Sequence, residues 1–215
     1  APAAGQGILR GALVEATPGL PPFPSGRRWR LSDAVGTPPW LRWVIEHRAR
    51  VEHLGPDYRV GAHTATALML RTSVAAELRW RDLVVGAELL DARAPFASEH
   101  TPLSNGSVNP LDVLEGYVGL VRRGALVRGD TLAVTVGRFT LNVGNRRLVA
   151  RNEFRNTVNA FTGVHASWRS PRGAWTRAFA AVPVQRLPTD AEALRAATLQ
   201  RDTSPADTVL LGVTL

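Results

Sequence analysis

The sequence predicts an all-β protein, specifically an antiparallel up-and-down transmembrane β-barrel or the N-terminal part of one. Three observations favour this fold. Extended segments alternate apolar and charged residues with a period of two. Several of these segments exceed the ~5–6 residues usual in globular strands and suit a tilted membrane crossing of ~9–11 residues. Short turns also alternate along the chain with long polar loops, as they do in outer-membrane barrels.

Composition excludes several classes of protein. The chain has 215 residues, the length of one domain, and no cysteine, so it has neither a disulfide framework nor a thiolate metal site. All 26 of its Lys+Arg residues are Arg, and the net charge is +8. Because the guanidinium is a planar, permanent cation suited to carboxylate and phosphate, an anionic partner is expected. No apolar run reaches the ~18–20 residues of a spanning helix.

Residues 1–39 form a Gly- and Pro-rich irregular leader with a possible first strand at 7–14. The alternative for this segment is a disordered tail. It contains neither the charged n-region nor the apolar core of a signal peptide, and its start at Ala1-Pro2 is compatible with a mature chain from which a signal peptide was removed. Strands and loops occupy residues 40–215.

The first predicted strands lie between residues 40 and 90. From 40 to 52 one face is apolar and the opposite face is charged, with His47 as the one polar residue on the apolar side. The apolar side is Leu41, Trp43, Ile45, Ala49 and Val51, and the charged side is Arg42, Glu46, Arg48, Arg50 and Glu52. Residues 66–80 repeat this alternation. The pair Arg81-Asp82 then forms a two-residue turn into the strand that starts at Leu83, which predicts a hairpin.

The rest of the chain predicts further strands and two long loops. The polar, Pro-containing stretches 94–110 and 185–206 are expected to be loops, the second with a short helix over 190–199. Strands are expected over 111–121, from residue 131 to the Gly137-Arg138 pair, in a run that ends at Trp168, and over 174–184 and 208–215. In the strand at 111–121, Leu114, Val118 and Leu120 share one face, and Glu115 and Tyr117 share the other.

Signals for catalysis and metal binding are poor. The histidines show no helical i,i+4 pairing and no His-Glu-x-x-His motif; they are His47, His53, His63, His100 and His165. No Gly-x-Ser-x-Gly elbow occurs, and residues 137–144 lack the Lys-Ser/Thr end of a phosphate loop. We therefore predict no enzyme activity, no cofactor and no metal.

The charged side of the strands is the candidate site. In a barrel this side lines a lumen, where low-dielectric walls focus the field of the cations and rings of Arg select anions. The inward set is Arg42, Arg48, Arg50, Arg71, Arg79 and Arg138, balanced by Glu46, Glu77, Glu88 and Asp91. A polyuronate could pass from one Arg to the next. The alternative is a soluble β-sandwich or lipocalin-like domain that binds an anionic ligand, but aromatics at strand ends (Trp40, Trp80, Trp168) favour the membrane version.

Several short motifs lie at the ends of the predicted strands. The first group is Gly137-Arg138-Phe139, Gly144-Asn145-Arg146-Arg147-Leu148 and Phe161-Thr162-Gly163. The second is Trp40-Leu41-Arg42, Arg48-Ala49-Arg50-Val51-Glu52, Asp91-Ala92-Arg93 and Glu115-Gly116-Tyr117-Val118. Together they resemble the alginate export family of bacterial outer-membrane β-barrels over about residues 38–184. The family has Gln where this chain has Phe139 and Asp where it has Thr162.

This resemblance implies a porin that exports or conducts an acidic polysaccharide through an Arg-rich lumen. Carried over motif by motif, it implies that substrate is bound by Arg48, Arg50, Asp91, Arg93, Arg138 and Arg147. The polar sides of the strands add Arg71, Glu88, Glu115 and Tyr117. For each residue the alternative is an ion pair that only satisfies its neighbours. The expected partners are an anionic polysaccharide or small anionic solute and outer-membrane lipid, with no nucleic acid, in a monomeric barrel.

The predicted number of strands is smaller than in the family. The family barrel has roughly eighteen strands, and about half as many are predicted here. The last of them ends in Val213-Thr214-Leu215, without the terminal aromatic residue usual in such barrels. We therefore expect the chain to be the N-terminal portion of a longer barrel. A barrel closed by these strands alone would be filled by side chains.

Overall fold

A computed structural model describes residues 35–55, 63–143 and 149–215, which form eight antiparallel strands in one sheet. The strands are β1 (Leu41–Leu54), β2 (Ala65–Trp80), β3 (Leu83–Ala97), β4 (Asn109–Arg123), β5 (Thr131–Phe139), β6 (Phe161–Arg169), β7 (Trp175–Pro183) and β8 (Leu210–Thr214). The predicted all-β, up-and-down fold is confirmed. The predicted strand at 7–14 lies outside the described residues.

Each strand pairs with its neighbours in sequence, in the order β1 to β8. Within the described ranges no hydrogen-bonded ladder joins β8 back to β1. The sheet is therefore up-and-down and open, consistent with part of a barrel. The two facing sheets of the alternative β-sandwich are not formed by this part of the chain. Each edge strand presents one row of backbone N–H and C=O groups without a strand partner.

The sheet has two faces of opposite character. The apolar face carries Ile45, Val74 and Leu89, and the polar face carries Arg48, Glu77 and Glu88. Register confirms the predicted alternation: Ile45 pairs with Val74 on the apolar face, and Arg48 pairs with Arg71 on the polar face. The apolar face is exposed, with Val51 at 70% and Ile45 at 59%, whereas Glu77 is fully buried and Glu88 is 3% exposed. The usual arrangement of a water-soluble sheet is therefore reversed.

A β-bulge in β4 changes the face of one residue. Glu88 pairs with Glu115 and Leu89 pairs with Val113, so Leu114 is an extra residue between them. As a result Leu114 is fully buried, whereas Val118 and Leu120 are about half exposed on the apolar face. The prediction that these three residues share a face is wrong. The prediction assumed that alternate residues of the strand share a face. A bulge adds one residue and breaks this rule, so the sequence pattern alone does not reveal it.

Long connections lie at one end of the sheet and short ones at the other. Because consecutive strands are antiparallel, the turns 81–82, 124–130 and 170–174 share the short-turn end. The loop at 98–108, the connection 140–160 and the loop at 184–209 share the long-loop end. The loop expected at 94–110 is shorter because β3 continues to Ala97. Trp40 and Trp80 are both more than half exposed at the short-turn end.

The β7–β8 loop contains the short helix α1 (Ala191–Ala196). The Asp190 carboxylate caps it by accepting the Ala193 N–H at 2.8 Å. Ala197, with φ of 48°, ends it in the left-handed region, so the helix predicted over 190–199 is present in a shorter form. No helix of the described residues is long and apolar enough to span a membrane.

The polar face is covered by the connection between β5 and β6, residues 140–160, which we call the connector. It is described except for residues 144–148. It contributes to two apolar clusters with the sheet. One contains Leu90, Ala92, Leu114, Val158, Ala160 and Val184, and the other contains Phe139, Leu141, Phe161, Phe179 and Ala181. The packed core therefore lies between the sheet and its own connector.

Asp130 organises the turn between β4 and β5. Its carboxylate accepts the backbone N–H groups of Ala125, Leu126 and Val127 at 2.8–3.1 Å and the indole N–H of Trp168 at 2.8 Å. Burial acts to raise the pKa of Asp130, but these hydrogen bonds to the charged form outweigh it and hold the pKa below its usual value. The carboxylate thus joins the turn to β6.

We expect Asp130→Asn to lower stability at neutral pH, because the neutral amide accepts these hydrogen bonds more weakly. A depressed pKa contributes stability that is present above the unfolded-state pKa and is lost as pH falls through the folded-state pKa. The difference between wild type and variant should therefore shrink below about pH 4. Urea unfolding of refolded protein in detergent at pH 7 and pH 3 measures this. Asp82→Asn, in an exposed turn at the same end, is the control, and equal loss in both variants would contradict the assignment.

Candidate functional site

Three of the arginines expected to line the lumen lie together on β1 and β2. Arg48 and Arg71 are directly opposite each other, and Arg50 is two residues further along β1. Like charges placed opposite each other are destabilising unless acceptors surround them. Glu46 lies 3.3 Å from Arg71, and Glu52 forms an ion pair with Arg50. These two carboxylates leave most of the guanidinium N–H groups for other acceptors.

Backbone carbonyls of the connector accept four of the remaining donors. Arg48 donates to the carbonyl oxygens of Glu153 at 2.9 Å and Arg155 at 2.6 Å. Arg50 donates to the Phe154 carbonyl at 2.7 Å, and Arg71 to that of Glu153 at 3.3 Å. These arginines therefore bind three consecutive residues of the connector. Neutral carbonyl oxygens of the connector thus occupy the positions beside these arginines at which substrate carboxylates were expected.

Asn156 fixes the next residue of the connector. Its side-chain amide is 1% exposed and donates to the carbonyl oxygens of Leu70 at 3.0 Å and Ser107 at 2.9 Å. The Thr157 hydroxyl donates to the Asn105 carbonyl at 2.8 Å. The connector is thus held against both β2 and the 98–108 loop. Sequence reasoning missed Asn156, because nothing local to it distinguishes it from a loop asparagine.

Glu88 and Glu115 lie opposite each other on β3 and β4 and meet a cation that sequence reasoning also missed. Arg151, from the connector, donates through Nη2 to both Glu88 oxygens at 2.8 and 3.0 Å. Its Nη1 lies 3.4 Å from Glu115, whose carboxylate also accepts the Thr140 hydroxyl at 2.6 Å. Burial disfavours the charge on Arg151, but the two carboxylates outweigh this and raise its pKa. This cluster anchors the connector to the middle of the sheet.

Tyr117 belongs to a separate polar cluster nearer the short-turn end. Its hydroxyl donates to the fully buried Glu77 at 3.1 Å, and Arg79 donates to the other oxygen of the same carboxylate at 2.6 Å. The Tyr117 ring covers Gly86, where a β-carbon would collide with it. Glycine at position 86 thus allows the aromatic ring to lie across the neighbouring strand. Tyr117 therefore has a clear packing role.

Arg138 attaches the β7–β8 loop to the sheet. Its Nη2 contacts Asp112 of β4 at 2.9 Å and Asp202 of the loop at 3.1 Å. Asp202 also accepts the Leu187 N–H at 2.8 Å and the Asn109 amide at 3.1 Å. Both carboxylates are almost fully buried, and the arginine side chain is 18% exposed. The contacts of Arg138 are thus with the protein itself.

Asp91 and Arg93 are not brought to the polar face. They follow exposed Leu89 at alternate positions of β3, whereas Glu88, Leu90 and Ala92 are buried. Residues three apart in a strand point to opposite faces, so Asp91 cannot share the side of Glu88, contrary to its expected lumenal position. The two side chains pair with each other at 2.9 Å. Arg147, the remaining predicted residue, lies outside the described part of the chain.

No group of three or more His, Asp or Glu side chains in the described ranges is arranged to hold a metal ion. The charged groups of the polar face instead bind one another and the connector. Chemically, the arrangement offers arginine N–H donors at a partly solvent-exposed site, where an incoming anion would compete with carbonyl oxygens.

Comparison with known proteins returned one family. The alginate export model matches residues 40–212, which includes all eight strands apart from the last residues of β8. No curated protein and no solved structure matches the chain.

We expect Arg151→Met to destabilise the protein by about 3–5 kcal/mol, because it leaves the buried Glu88 and Glu115 carboxylates without their cation. Urea unfolding in detergent measures the loss. Adding Glu88→Gln should recover part of it, since one uncompensated charge is removed. Arg169→Met, at an exposed position, is the control. Equal midpoints for Arg151→Met and wild type would show that the connector is not held by this cluster.

Proposed function

Because the chain belongs to the alginate export family, we propose that it conducts an anionic polysaccharide of the alginate type, or a related anionic solute, passively across the outer membrane. The family is one of outer-membrane export proteins, so the activity to be explained is transport and not catalysis. The chain would contribute strands of the barrel wall and the cations that attract the polymer.

The reversed polarity of the sheet is the observation that carries this proposal. The exposed apolar residues run across neighbouring strands as one continuous surface; they include Val51, Ile45, Val74, Leu78, Val85, Leu89, Val118, Leu120 and Val136. Water penalises such a surface by roughly 25 cal/mol per Å² of apolar area, whereas lipid does not. Exposed Trp40 and Trp80 at the short-turn end fit the aromatic belt found where barrels meet the membrane–water interface.

The polar face supports an anionic substrate. Along residues 153–155 of the connector the cations are Arg48, Arg50 and Arg71, which donate to its carbonyls, and the acids paired with them are Glu46 and Glu52. A hydrogen bond from Arg to a carboxylate is roughly twice as strong as one to a neutral carbonyl. Polymer carboxylates would therefore replace the connector carbonyls one at a time, and each site would release its carboxylate as the next one arrives.

We expect the barrel that contains this chain, inserted into a planar bilayer, to give anion-selective conductance steps that polyuronate blocks. In the double variant Arg48→Gln/Arg71→Gln the polyuronate concentration for half-block should rise about ten-fold or more, because two charge-assisted contacts are lost. Arg172→Gln, in the exposed turn at the other end of the sheet, should leave block unchanged. A folded, membrane-inserted protein whose conductance is indifferent to polyuronate would contradict the proposal, as would a folded protein that does not enter lipid.

A further inference from the structure

A cleft opens at the long-loop end of the sheet, where the connector passes the 98–108 loop. It has a volume of about 160 Å³ and is lined mainly by Arg50, Ser104, Ser107, Phe154, Arg155 and Asn156. We call it the mouth cleft. Its walls are fixed, because Thr157 N–H donates to the Gly106 carbonyl and the Asn156 amide donates to the Ser107 carbonyl. The cleft is therefore a built feature of the fold.

Arg155 is the unpaired cation of this cleft. Its guanidinium lies against Gly106, where a β-carbon would come within 3.2 Å of Nη1. No acidic side chain of the described residues forms an ion pair with it, and its exposed side chain keeps its donors available. Arg50 adds a second cation, whose buried Nε has no hydrogen-bond partner. The positive charge of the mouth cleft is thus only partly balanced, by Glu52.

Phe154 gives the cleft an aromatic platform. Its side chain is 84% exposed although its carbonyl is held by Arg50. The Arg50 guanidinium carbon lies 5.2 Å from the ring centroid, a cation–π distance. One ring face is therefore occupied by Arg50, and the other is free for a flat apolar surface such as the C–H face of a pyranose ring.

We propose that the mouth cleft binds one carboxylated sugar unit of the polymer at the long-loop end, next to Arg48 and Arg71. Arg155 pairs with the carboxylate, the free face of Phe154 packs against the sugar ring, and Ser104 and Ser107 are placed for its hydroxyls. The combination distinguishes a uronate from an inorganic anion, which would use only the arginines. This assignment rests on the proposed transport function and names a position that the substrate occupies at the long-loop end.

The test is calorimetric titration of a uronate trisaccharide into the refolded chain in detergent. We expect Arg155→Gln and Phe154→Ala each to weaken binding about ten-fold, since each removes a specific contact. Arg155→Lys should recover part of the affinity because it keeps the charge. The methyl-esterified trisaccharide should bind the wild type as weakly as the acid binds Arg155→Gln. Arg172→Gln is the control for loss of surface charge.

Two results separate failure of the mouth cleft from failure of the transport function. If Arg155→Gln and Phe154→Ala bind the trisaccharide like the wild type while polyuronate still blocks conductance, the cleft is not a subsite and the transport function stands. If wild-type protein neither binds the trisaccharide nor is blocked by polyuronate, both proposals fail. Both side chains are exposed, so circular dichroism should show the same folded protein in every variant.

Discussion

The need to compensate buried charge on one face of the sheet governs the rest of this structure. Glu77, Glu88 and Glu115 are all nearly inaccessible, and an unpaired carboxylate in such a place would be strongly unfavourable. Glu77 pairs with Arg79, two residues further along the same face of β2. Glu88 and Glu115 pair with Arg151 of the connector. Pairing with Arg151 is possible only if the connector folds across the sheet.

The connector consequently has two roles. It completes the packed core, and it lies on the arginines that were expected to bind substrate. Its carbonyls accept hydrogen bonds from Arg48, Arg50 and Arg71, and its apolar residues complete the two core clusters. Neutral acceptors suit this role, because they stabilise the arginines without cancelling their charge. Under the proposed function, an anionic substrate would meet a folded surface that is still positive, and exchanging a carbonyl for a carboxylate would leave no arginine donor unpaired.

The exposed apolar face of the sheet carries few charged side chains. The apolar side chains of this face would need no polar partner in the proposed lipid environment, and two polar pairs on this face are satisfied locally. His47 contacts the Thr72 hydroxyl directly across the strand at 2.9 Å, and Asp91 pairs with Arg93. These local pairs explain how polar residues persist on a face that is otherwise apolar.

Alternation by itself predicted the strands and the face of nearly every residue in β1 and β2, because a period of two depends only on neighbouring residues. The polar, Pro-containing stretches predicted the long loops. Family motifs added the class of protein. Three features depend on the tertiary structure and could not be predicted from alternation. They are the bulge that buries Leu114, the ion pairs of Arg151 with Glu88 and Glu115, and the hydrogen bonds that hold residues 153–156. These contacts join residues far apart in sequence. Their formation depends on strand register and on where the connector lies, and neither is encoded in any short segment.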